Sequence, residues 1–301
     1  MDSFHIETNE LGLLQKIVIG HDHVGYGAGV FIERVLVTEN VVDGRQYLFQ
    51  CAKWLDSGQV DGKIERTLKT TAYCYIATIP DDSKSTSGRW EFILHSGKKD
   101  GTGATTSNLN IVGYGNRGSS VTTKIYDNKM ASAPSSSLVQ VDFGDIGDLL
   151  KVRIEIDGNG EMPDYFLDYV ELKDLDTDER MVSYVAKWLK IGHSEKHAQP
   201  FREFPVFRAA FEPLTGKIKL SSRRRRHLKD PIGYVQLFGE IGETGRFPVN
   251  LAYASNSKTE ISFKAEAVSI GRVHSTRLYV KTNEIGKFMK IYNFYPKTNL
   301  N

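Results

Sequence analysis

Short stretches in which apolar and polar residues alternate recur along most of the chain. The clearest stretch sets four apolar residues against three charged ones: Leu150, Val152, Ile154 and Ile156 against Lys151, Arg153 and Glu155. A period of two places the two sets on opposite faces of a β-strand. Valine, isoleucine, tyrosine and phenylalanine are frequent, small polar residues and glycine fill the gaps, and helical windows are scarce. The pattern therefore predicts an all-β protein.

The alternating stretches belong to a longer unit that occurs three times. Two pairs of segments relate the first copy to the second: CAKWL at 51–55 to VAKWL at 185–189, and LGLLQKIVIGHD at 11–22 to IGDLLKVRIEID at 146–157. In a third copy, Gly271 matches Gly147, and Phe238-Gly239 match Tyr114-Gly115. Repeats of about 120–135 residues exceed solenoid repeats, which run about 20–50 residues. They predict tandem antiparallel β-sandwiches.

The three copies differ in extent, one being complete and two partial. The first begins midway through the unit, because Phe4 and Ile6 already match Val139 and Val141 of the second. We predict four segments: the C-terminal part of a sandwich at 1–67, a complete sandwich at 71–190, a polar linker at 191–203, and the N-terminal and middle parts of a third sandwich at 204–301. A partial sandwich exposes strand edges and an apolar face. We therefore expect this sequence to be a segment of a longer array.

Composition narrows the class of protein. The 301 residues include 39 Lys and Arg against 37 Asp and Glu, and a net charge of +2 argues against a dedicated nucleic-acid binder. Two cysteines, Cys51 and Cys74, are too few for a disulfide framework. The N-terminus lacks a secretory signal, and no stretch approaches the roughly 20 apolar residues that cross a bilayer. We expect a cytoplasmic chain that is neither secreted nor membrane-spanning.

Several motifs recur in the copies in a fixed order. The first copy has Gly20-His21-Asp22-His23, Gly29-Val30-Phe31-Ile32, Tyr47-x-Phe49-x-Cys51-x-x-Trp54-Leu55 and the ending Asp61-Gly62-Lys63-Ile64-Glu65-Arg66. The second has Trp90-Glu91-Phe92, Ile111-Val112-Gly113-Tyr114-Gly115, Pro163-Asp164-Tyr165-Phe166-Leu167-Asp168 and the Lys-Trp-Leu signature. Together they resemble the PLAT domain, also called the lipoxygenase-homology (LH2) domain, over nearly the whole chain.

The resemblance carries expectations about fold and function. It implies an eight-stranded antiparallel sandwich that is not itself an enzyme, although single PLAT domains accompany lipases and lipoxygenases. Tandem arrays of this domain, such as those of hair-cell stereocilia, imply a module that holds membranes or protein partners. Calcium, often bound at the loops of one end, is the cofactor that the family implies.

Three residues of the second copy are candidate calcium ligands. The resemblance places one Asp in a Gly-rich first loop and an Asp or Asn pair in a later loop. Asp157 and Asn159 fill the later loop, and Asp100 lies near the first, where Thr106 replaces the usual Asp. Ca²⁺ takes about 6–8 oxygen ligands, so several must converge from separate loops. The alternative is that these acidic residues form ordinary Asx turns.

Loop tips and a basic run are candidate contacts for a membrane or partner. Tyr26 in the loop GYGAG and Met162 in the matching loop either enter a membrane interface or fold back over the sheet. The basic run comprises Arg223, Arg224, Arg225 and Arg226. Adjacent guanidinium groups bind anionic lipid or acidic protein surfaces, or else remain a solvated loop.

The two tryptophans of the repeated Lys-Trp-Leu signature, Trp54 and Trp188, are predicted to be core residues. They end a strand at equivalent places, so repeated packing explains both. Cys51 lies beside the first and has no paired base in the pattern, which predicts a buried thiol rather than a nucleophile.

These observations predict a non-catalytic scaffold or adaptor at a membrane–cytoskeleton boundary. Several weak modules in one chain gain avidity through effective concentration, which gives the repetition a purpose. Two alternatives remain. The chain is either the lipid-directing accessory region of a lipase or lipoxygenase, or a purely protein-binding array without lipid or ion affinity.

Overall fold

The computed structural model describes residues 3–22, 24–25, 28–59, 61–80, 84–125, 132–191, 199–207, 213–221, 232–240, 242–250, 260–268, 270–280 and 290–294. Within these ranges the regular elements are 21 β-strands and one short 3₁₀ turn at Ile76–Thr78. The strand pairs described below are antiparallel, as in the β1–β4 pair at Lys16–Gly20 and Glu65–Lys69. The prediction of an all-β antiparallel protein is confirmed. The chain divides into two compact units, Met1–Ala77 and Thr78–Asn301.

The first unit holds the partial first copy. Its strands are β1 (Lys16–Gly20), β2 (Val30–Thr38), β3 (Arg45–Leu55), β4 (Glu65–Lys69) and β5 (Ala72–Tyr75). Strand β1 pairs with β4, while β3 pairs with β2 on one side and β5 on the other. The predicted boundaries place residues 72–75 in the second copy; these residues form β5, which hydrogen-bonds to β3 of the first unit.

The complete sandwich lies in the second unit. Its strands are β6 (Arg89–Ser96), β7 (Leu109–Gly115), β8 (Gly118–Ser119), β9 (Thr123–Ile125), β10 (Ser135–Asp142), β11 (Leu149–Ile156), β12 (Tyr165–Asp174), β13 (Arg180–Leu189) and β14 (Phe201–Pro205). One layer has the order β10-β6-β12-β13, and the other has β14-β11-β7-β8, with β9 also on β7. Phe92 and Leu94 from the first layer and Ile111, Val152 and Ile154 from the second are fully buried between them. This burial supplies the apolar core.

The third copy follows in the same unit. Its strands are β15 (Pro213–Ser221), β16 (Ile232–Gly239), β17 (Gly242–Glu243), β18 (Phe247–Asn250), β19 (Glu260–Val268), β20 (Val273–Val280) and β21 (Lys290–Phe294). Strand β15 pairs with β19 as β6 pairs with β10, and β16 pairs with β17, β18 and β20 as β7 pairs with β8, β9 and β11. A Cβ on Gly115 would lie 2.0 Å from the Ile146 carbonyl oxygen, and one on Gly239 would lie 2.2 Å from that of Ile270. The same close approach therefore fixes glycine in both copies.

The β2–β3 and β12–β13 hairpins share one irregularity. Ala52 and Ala186 adopt φ values of 50° and 48°, a left-handed conformation that is unusual for alanine. Each lies at a β-bulge, where the register shifts between Ile32 and Arg34 in one hairpin and between Leu167 and Tyr169 in the other. A conserved bulge re-aims the strand end at the same place in both copies. The structure thereby supports the alignment of CAKWL with VAKWL.

The segment predicted as a linker, 191–203, includes strand residues at its C-terminal end. Residues 201–203 belong to β14, which pairs with β11 from Lys151↔Pro205 to Glu155↔Phe201. The guanidinium of Arg202 donates a 2.8 Å hydrogen bond to the carbonyl of Trp188, as that of Arg66 does to Trp54. Strand β14 is thus the counterpart of β4 and ends the second copy. Residues 192–198 lie outside the described residues.

Lys151 and Arg153 lie on the face of β11 opposite the core, as their alternation predicts, yet both are buried. The third copy covers them. Lys151 Nζ is 3.1 Å from Glu203 Oε2 and donates a 2.9 Å hydrogen bond to the carbonyl of Glu243. Glu203 also accepts backbone N–H groups from Gly245 and Val268. Burial lowers the pKa of Lys151, and the Glu203 carboxylate opposes that shift.

Candidate contact site at the loop end of the second sandwich

Two loops at one end of the second sandwich are tied together by backbone hydrogen bonds. The first follows β6 and the second joins β11 to β12. Thr106 N donates to Met162 O at 2.9 Å, and Met162 N donates to Thr106 Oγ1 at 3.0 Å. Gly160 has φ +92°, and a Cβ there would lie 2.2 Å from Thr106 Oγ1. Thr106, which replaces the family's usual Asp, therefore links the two loops.

Asp157 is the acidic centre of the second loop. Its Oδ1 accepts the backbone N–H groups of Asn108 and Asn159, both at 3.0 Å. Its Oδ2 accepts their side-chain amides at 2.5 Å and 2.8 Å. Partial burial acts to raise the pKa of Asp157, but the hydrogen bonds from Asn108 and Asn159 outweigh it and hold the pKa below its ordinary value. This is the Asx-turn arrangement that the sequence left open as an alternative.

Asp100 lies in a separate turn of the first loop. Its Oδ1 accepts the Thr102 hydroxyl at 2.6 Å and the Thr102 N–H at 3.0 Å, and these bonds lower the pKa of the Asp100 carboxyl. In the part of the chain that the structure describes, no group of three or more His, Cys, Asp or Glu side chains could hold a metal ion. Asp157 and Asn159 thus share one loop, while Asp100 caps its own turn. The Asp157 and Asp100 carboxylates are therefore engaged in two separate turns.

An aromatic and cationic cluster borders the same two loops. The Phe166 and Trp188 rings meet edge to face with centroids 5.4 Å apart. Lys98 Nζ lies 5.0 Å from the Phe166 centroid and 5.3 Å from that of Trp188, and Lys190 Nζ lies 5.3 Å from Trp188. These distances are within cation–π range. We call Lys98, Phe166, Trp188 and Lys190 the Trp188 cluster.

The tryptophans are not core residues, contrary to the prediction. Trp188 is half-buried, and the Trp54 side chain is 38% exposed. Both lie in the last two residues of a strand, beyond the Ala bulge, beside a leucine that is buried. The repeated tryptophan occupies the same position in both copies, as predicted from the repeat. That position lies at the surface rather than in the core. Cys51 is likewise half-buried rather than buried.

Met162 projects at the tip of the second loop with 50% of its surface exposed. Its backbone N–H is hydrogen-bonded to Thr106, so the exposed side chain projects from a restrained backbone. The other predicted contacts cannot be placed beside it. Tyr26 and the basic run Arg223, Arg224, Arg225 and Arg226 lie outside the described residues.

Sequence comparison agrees with the geometry. The profile of the PLAT/LH2 domain matches residues 1–69 and 90–202, which is more than half of the chain. This chain belongs to the PLAT/LH2 family. The second match ends at residue 202, within β14, in agreement with the strand that the sequence analysis assigned to a linker.

Relatives of this PLAT chain are much longer than it is. The mouse protein named lipoxygenase homology domain-containing protein 1 is 29% identical over 201 residues, which cover 65% of this chain and 9% of that protein. The human protein of that name is 26% identical over 313 residues, covering 92% of this chain and 15% of that protein. Human polycystin-1-like protein 1 is 42% identical over 59 residues.

Solved structures include a similar region in coral 8R-lipoxygenase, at 19% identity and a TM-score of 0.33, over 39% of this PLAT chain and 17% of that protein. Searched for membrane-crossing segments, the described residues contain no helix that is long and apolar enough.

Proposed function

We propose that this PLAT chain is a non-catalytic scaffold that attaches to a membrane surface, or to proteins held there, through the loop end of its second sandwich. The observation that carries the proposal is the half-exposed Met162 at the same loop end of the sandwich as the Trp188 cluster. An apolar tip and lysines at one end of a sandwich are suited to an anionic lipid interface, because the tip enters the acyl boundary while the ammonium groups meet phosphates.

The loop geometry favours binding without large rearrangement. Thr106 and Met162 hold each other's backbone, and Thr105 and Ser107 donate their hydroxyl hydrogens to Pro163 O at 3.1 Å and 2.9 Å. Because the loop backbone is already restrained, binding through Met162 orders few additional residues and costs little conformational entropy. Tandem copies would then add avidity, since a second contact within one chain benefits from effective concentration.

Calcium enters the proposal only as a weak, secondary influence. A calcium ion at Asp157 would compete with the amides of Asn108 and Asn159, which now occupy all of the hydrogen bonds described for its carboxylate. Asp157 and Asn159 carry side-chain oxygens suited to the ion, as do Glu161 and Asp164 of the same loop. We expect any calcium dependence of membrane binding to be small and to require Asp157.

Co-sedimentation of the full chain with vesicles tests the proposal. We expect pelleting with vesicles that contain phosphatidylserine and much less with phosphatidylcholine alone. Lys98→Glu and Met162→Asp should each weaken binding by about fivefold or more, because a charge near an anionic surface is worth about 1 kcal/mol. Leu138→Asp, at an exposed apolar residue of β10, is the matched control and should bind as the original chain does.

Calcium and a chelator give two further arms to this experiment. Pelleting that appears only with calcium and is lost in Asp157→Asn would make calcium the primary determinant rather than a weak one. The absence of pelleting in every condition would reject lipid attachment and favour the purely protein-binding array. An accessory role beside a catalytic domain remains a prediction that the full coding sequence tests.

A further inference from the structure

The third copy meets the outer face of the second through a short hairpin that runs from Glu243 to Gly245, between β17 and β18. We call it the third-copy hairpin. Lys151 Nζ donates a 2.9 Å hydrogen bond to the Glu243 carbonyl, and the Gly245 N–H donates a 3.2 Å hydrogen bond to Glu203 Oε1. Arg153 Nη1 lies 3.7 Å from Glu243 Oε1. The receiving face, formed by β11 and β14, therefore binds this hairpin with charged side chains.

The second copy contains an equivalent hairpin at residues 119–121, which we call the second-copy hairpin. Ser120 N donates to Gly113 O at 2.8 Å, and Gly113 N donates to Ser120 Oγ at 3.0 Å. Thr244 makes the same two hydrogen bonds in the third copy, at 2.9 Å and 3.1 Å. Both hydroxyls also donate to the carbonyl of the following residue. The second copy therefore has the local structure with which the third copy docks.

The outer face of β1 and β4 is the first copy's counterpart of the receiving face. Strand β1 pairs with β4 in the register in which β11 pairs with β14, so Val18 takes the place of Arg153 and Thr67 takes that of Glu203. Both Val18 and Thr67 are exposed. In the second copy this face meets the copy that follows it. The equivalent face of the first copy is therefore a surface on which another module fits.

Residues on the two sides of the junction change together. In the charged junction, Arg153 on the face meets Glu243 in the hairpin. Val18 takes the place of this arginine in the first copy, and Ser119 takes the place of this glutamate in the second-copy hairpin. A charged side combined with a neutral one would leave a buried charge without its partner, which is unfavourable. The neutral face of β1 therefore suits the neutral second-copy hairpin.

Val18 is 60% exposed and Val121 is 79% exposed in a single chain, so both are available to another molecule. We propose that the second-copy hairpin of one chain docks on the outer face of β1 in a second copy of the chain, in the arrangement of the charged junction. The two valines are then removed from water, and the Thr67 hydroxyl accepts the Val121 N–H as Glu203 accepts that of Gly245. The contact is heterologous, since different surfaces meet. Two chains that exchange hairpins close into a dimer, and chains that do not exchange extend into a longer assembly.

The mass of the full chain in solution, measured by light scattering over a range of concentrations, gives the first test. We expect the mass to rise above that of one chain with concentration. Added salt should leave this rise nearly unchanged, because neutral surfaces meet and ions screen only charges. A single-chain mass at every concentration would overturn the proposal. A rise that salt abolishes would also overturn it, since it would show a charged contact.

A charge substitution with a rescue tests the pairing of face and hairpin. Val18→Arg should weaken self-association by about tenfold or more, because it places a cation against a neutral hairpin. Adding Ser119→Glu should recover at least about threefold, since the pair then matches Arg153 and Glu243. Leu138→Arg, at an exposed apolar residue of β10 in the other layer, is the matched control and should associate as the original chain does. Equal effects of Val18→Arg and Leu138→Arg, or no rescue, would contradict the proposal.

Engineered cysteines identify the surface on which the hairpin docks. A Cβ on Gly245 would lie 2.5 Å from the ring of Phe201, whose place in the first copy is taken by Glu65. In a Cys51→Ser background, Glu65→Cys with Val121→Cys should therefore oxidise to a species with the mass of two or more chains.

Lys69→Cys with Val121→Cys is the control, because residue 69 lies four residues along β4, about 13 Å away, and should give much less product. Equal yields from the two pairs would contradict the docking arrangement. A cross-linked product with the mass of one chain would show that the hairpin binds within its own chain and would overturn the proposal.

A membrane is the other surface that an exposed valine could enter. Val121→Glu should weaken self-association and leave pelleting with phosphatidylserine vesicles unchanged. Loss of pelleting without a change in mass would assign the hairpin to lipid and overturn the proposal. The vesicle result for Met162→Asp is independent of this one, so the proposed membrane attachment and the proposed self-association can fail separately.

Discussion

Strands β1–β4 of the first copy and β11–β14 of the second have the same order and the same local features, but they differ in their surroundings. Phe31 meets Trp54 edge to face at 5.7 Å, as Phe166 meets Trp188 at 5.4 Å. Nevertheless Phe31 is 44% exposed and Phe166 only 9%. The local geometry therefore follows from the hairpin itself, whereas burial depends on strands contributed from elsewhere in the module.

The outer faces of β1 and β11 differ in the same way. Lys151 is buried against Glu203 and the third copy, whereas its counterpart Lys16 is exposed. Arg153 is buried, and its counterpart Val18 is exposed. Strand β11 thus directs the charged Lys151 and Arg153 toward the third copy, whereas β1 exposes the apolar Val18. The comparison shows that copies of one fold have acquired different junction surfaces.

The largest loss of stability is expected from a substitution that breaks the buried Lys151–Glu203 pair of the second copy. Lys151→Met leaves Glu203 buried without its cation and should lower the free energy of unfolding of the second unit by about 3–5 kcal/mol. Lys16→Met, at the equivalent exposed position, should change the stability of the first unit by less than about 0.5 kcal/mol. Urea unfolding followed by hydrogen exchange assigns each change to its unit. Equal losses would contradict the assignment of Lys151 to a buried junction.

The aromatic pair gives the next contrast. Phe166→Ala should cost about 3 kcal/mol because it leaves a cavity among buried neighbours. Phe31→Ala should cost about 1 kcal/mol, since nearly half of that ring is already exposed. The same unfolding measurement tests both. A larger loss from Phe31→Ala under dilute conditions would mean that β2 is covered.

A pH-dependent prediction concerns the turn between β12 and β13. Asp176 accepts hydrogen bonds from Ser87 N at 2.8 Å and Ser87 Oγ at 2.7 Å, and it pairs with Arg89. Burial opposes these interactions, but hydrogen bonds from Ser87 and Arg89 prevail and lower the pKa of Asp176 to about 2. Because the folded pKa is depressed, this stabilisation is present above about pH 4 and is lost as the pH falls toward 2.

Asp176→Asn should therefore destabilise the second unit by about 1–3 kcal/mol at pH 7. The difference between variant and original should shrink between about pH 4 and 2 as the original carboxyl is protonated. Thermal unfolding at a series of pH values measures this. In the first copy the corresponding turn is held by Glu39, which accepts Arg45 N and the Tyr47 hydroxyl. That turn should be unaffected by the substitution.

The smallest effect should be the same in both copies. Ala52→Gly and Ala186→Gly relieve a left-handed alanine and should each raise stability by about 0.5 kcal/mol after the greater chain entropy of glycine is subtracted. Midpoints of urea unfolding compare the two. Gains that differ strongly between the copies would show that the bulge is imposed by surroundings rather than by the hairpin.

The sequence predicted the repeated hairpins because their signals are local. Alternating residues and the Lys-Trp-Leu signature identify β1–β3 and β11–β13 without knowledge of neighbours. Strand β14 was missed because it is short and follows a polar stretch. The match between Arg66 and Arg202, each bound to the carbonyl of a repeated tryptophan, is the signal that would have identified it.

Burial and the candidate site were less predictable because they depend on distant residues. Lys151 has the pattern of a solvated charge, and the Glu243 that covers it is 92 residues away. Trp188 is contacted by Lys98 from another loop, a pairing that the sequence does not reveal. Asp157 lies in the loop after β11, and its partner Asn108 directly precedes β7, which spacing alone does not bring near.

The central claim is that the same strands are enclosed in the second copy and open along one edge in the first. Residue-resolved amide hydrogen exchange of the full chain, at a dilution where it is a single chain, tests this most directly. In β12 we expect both alternating sets of amides to be protected, whereas in β2 only the set that faces β3 should be slow. Protection of both sets in β2 under these conditions would contradict the account.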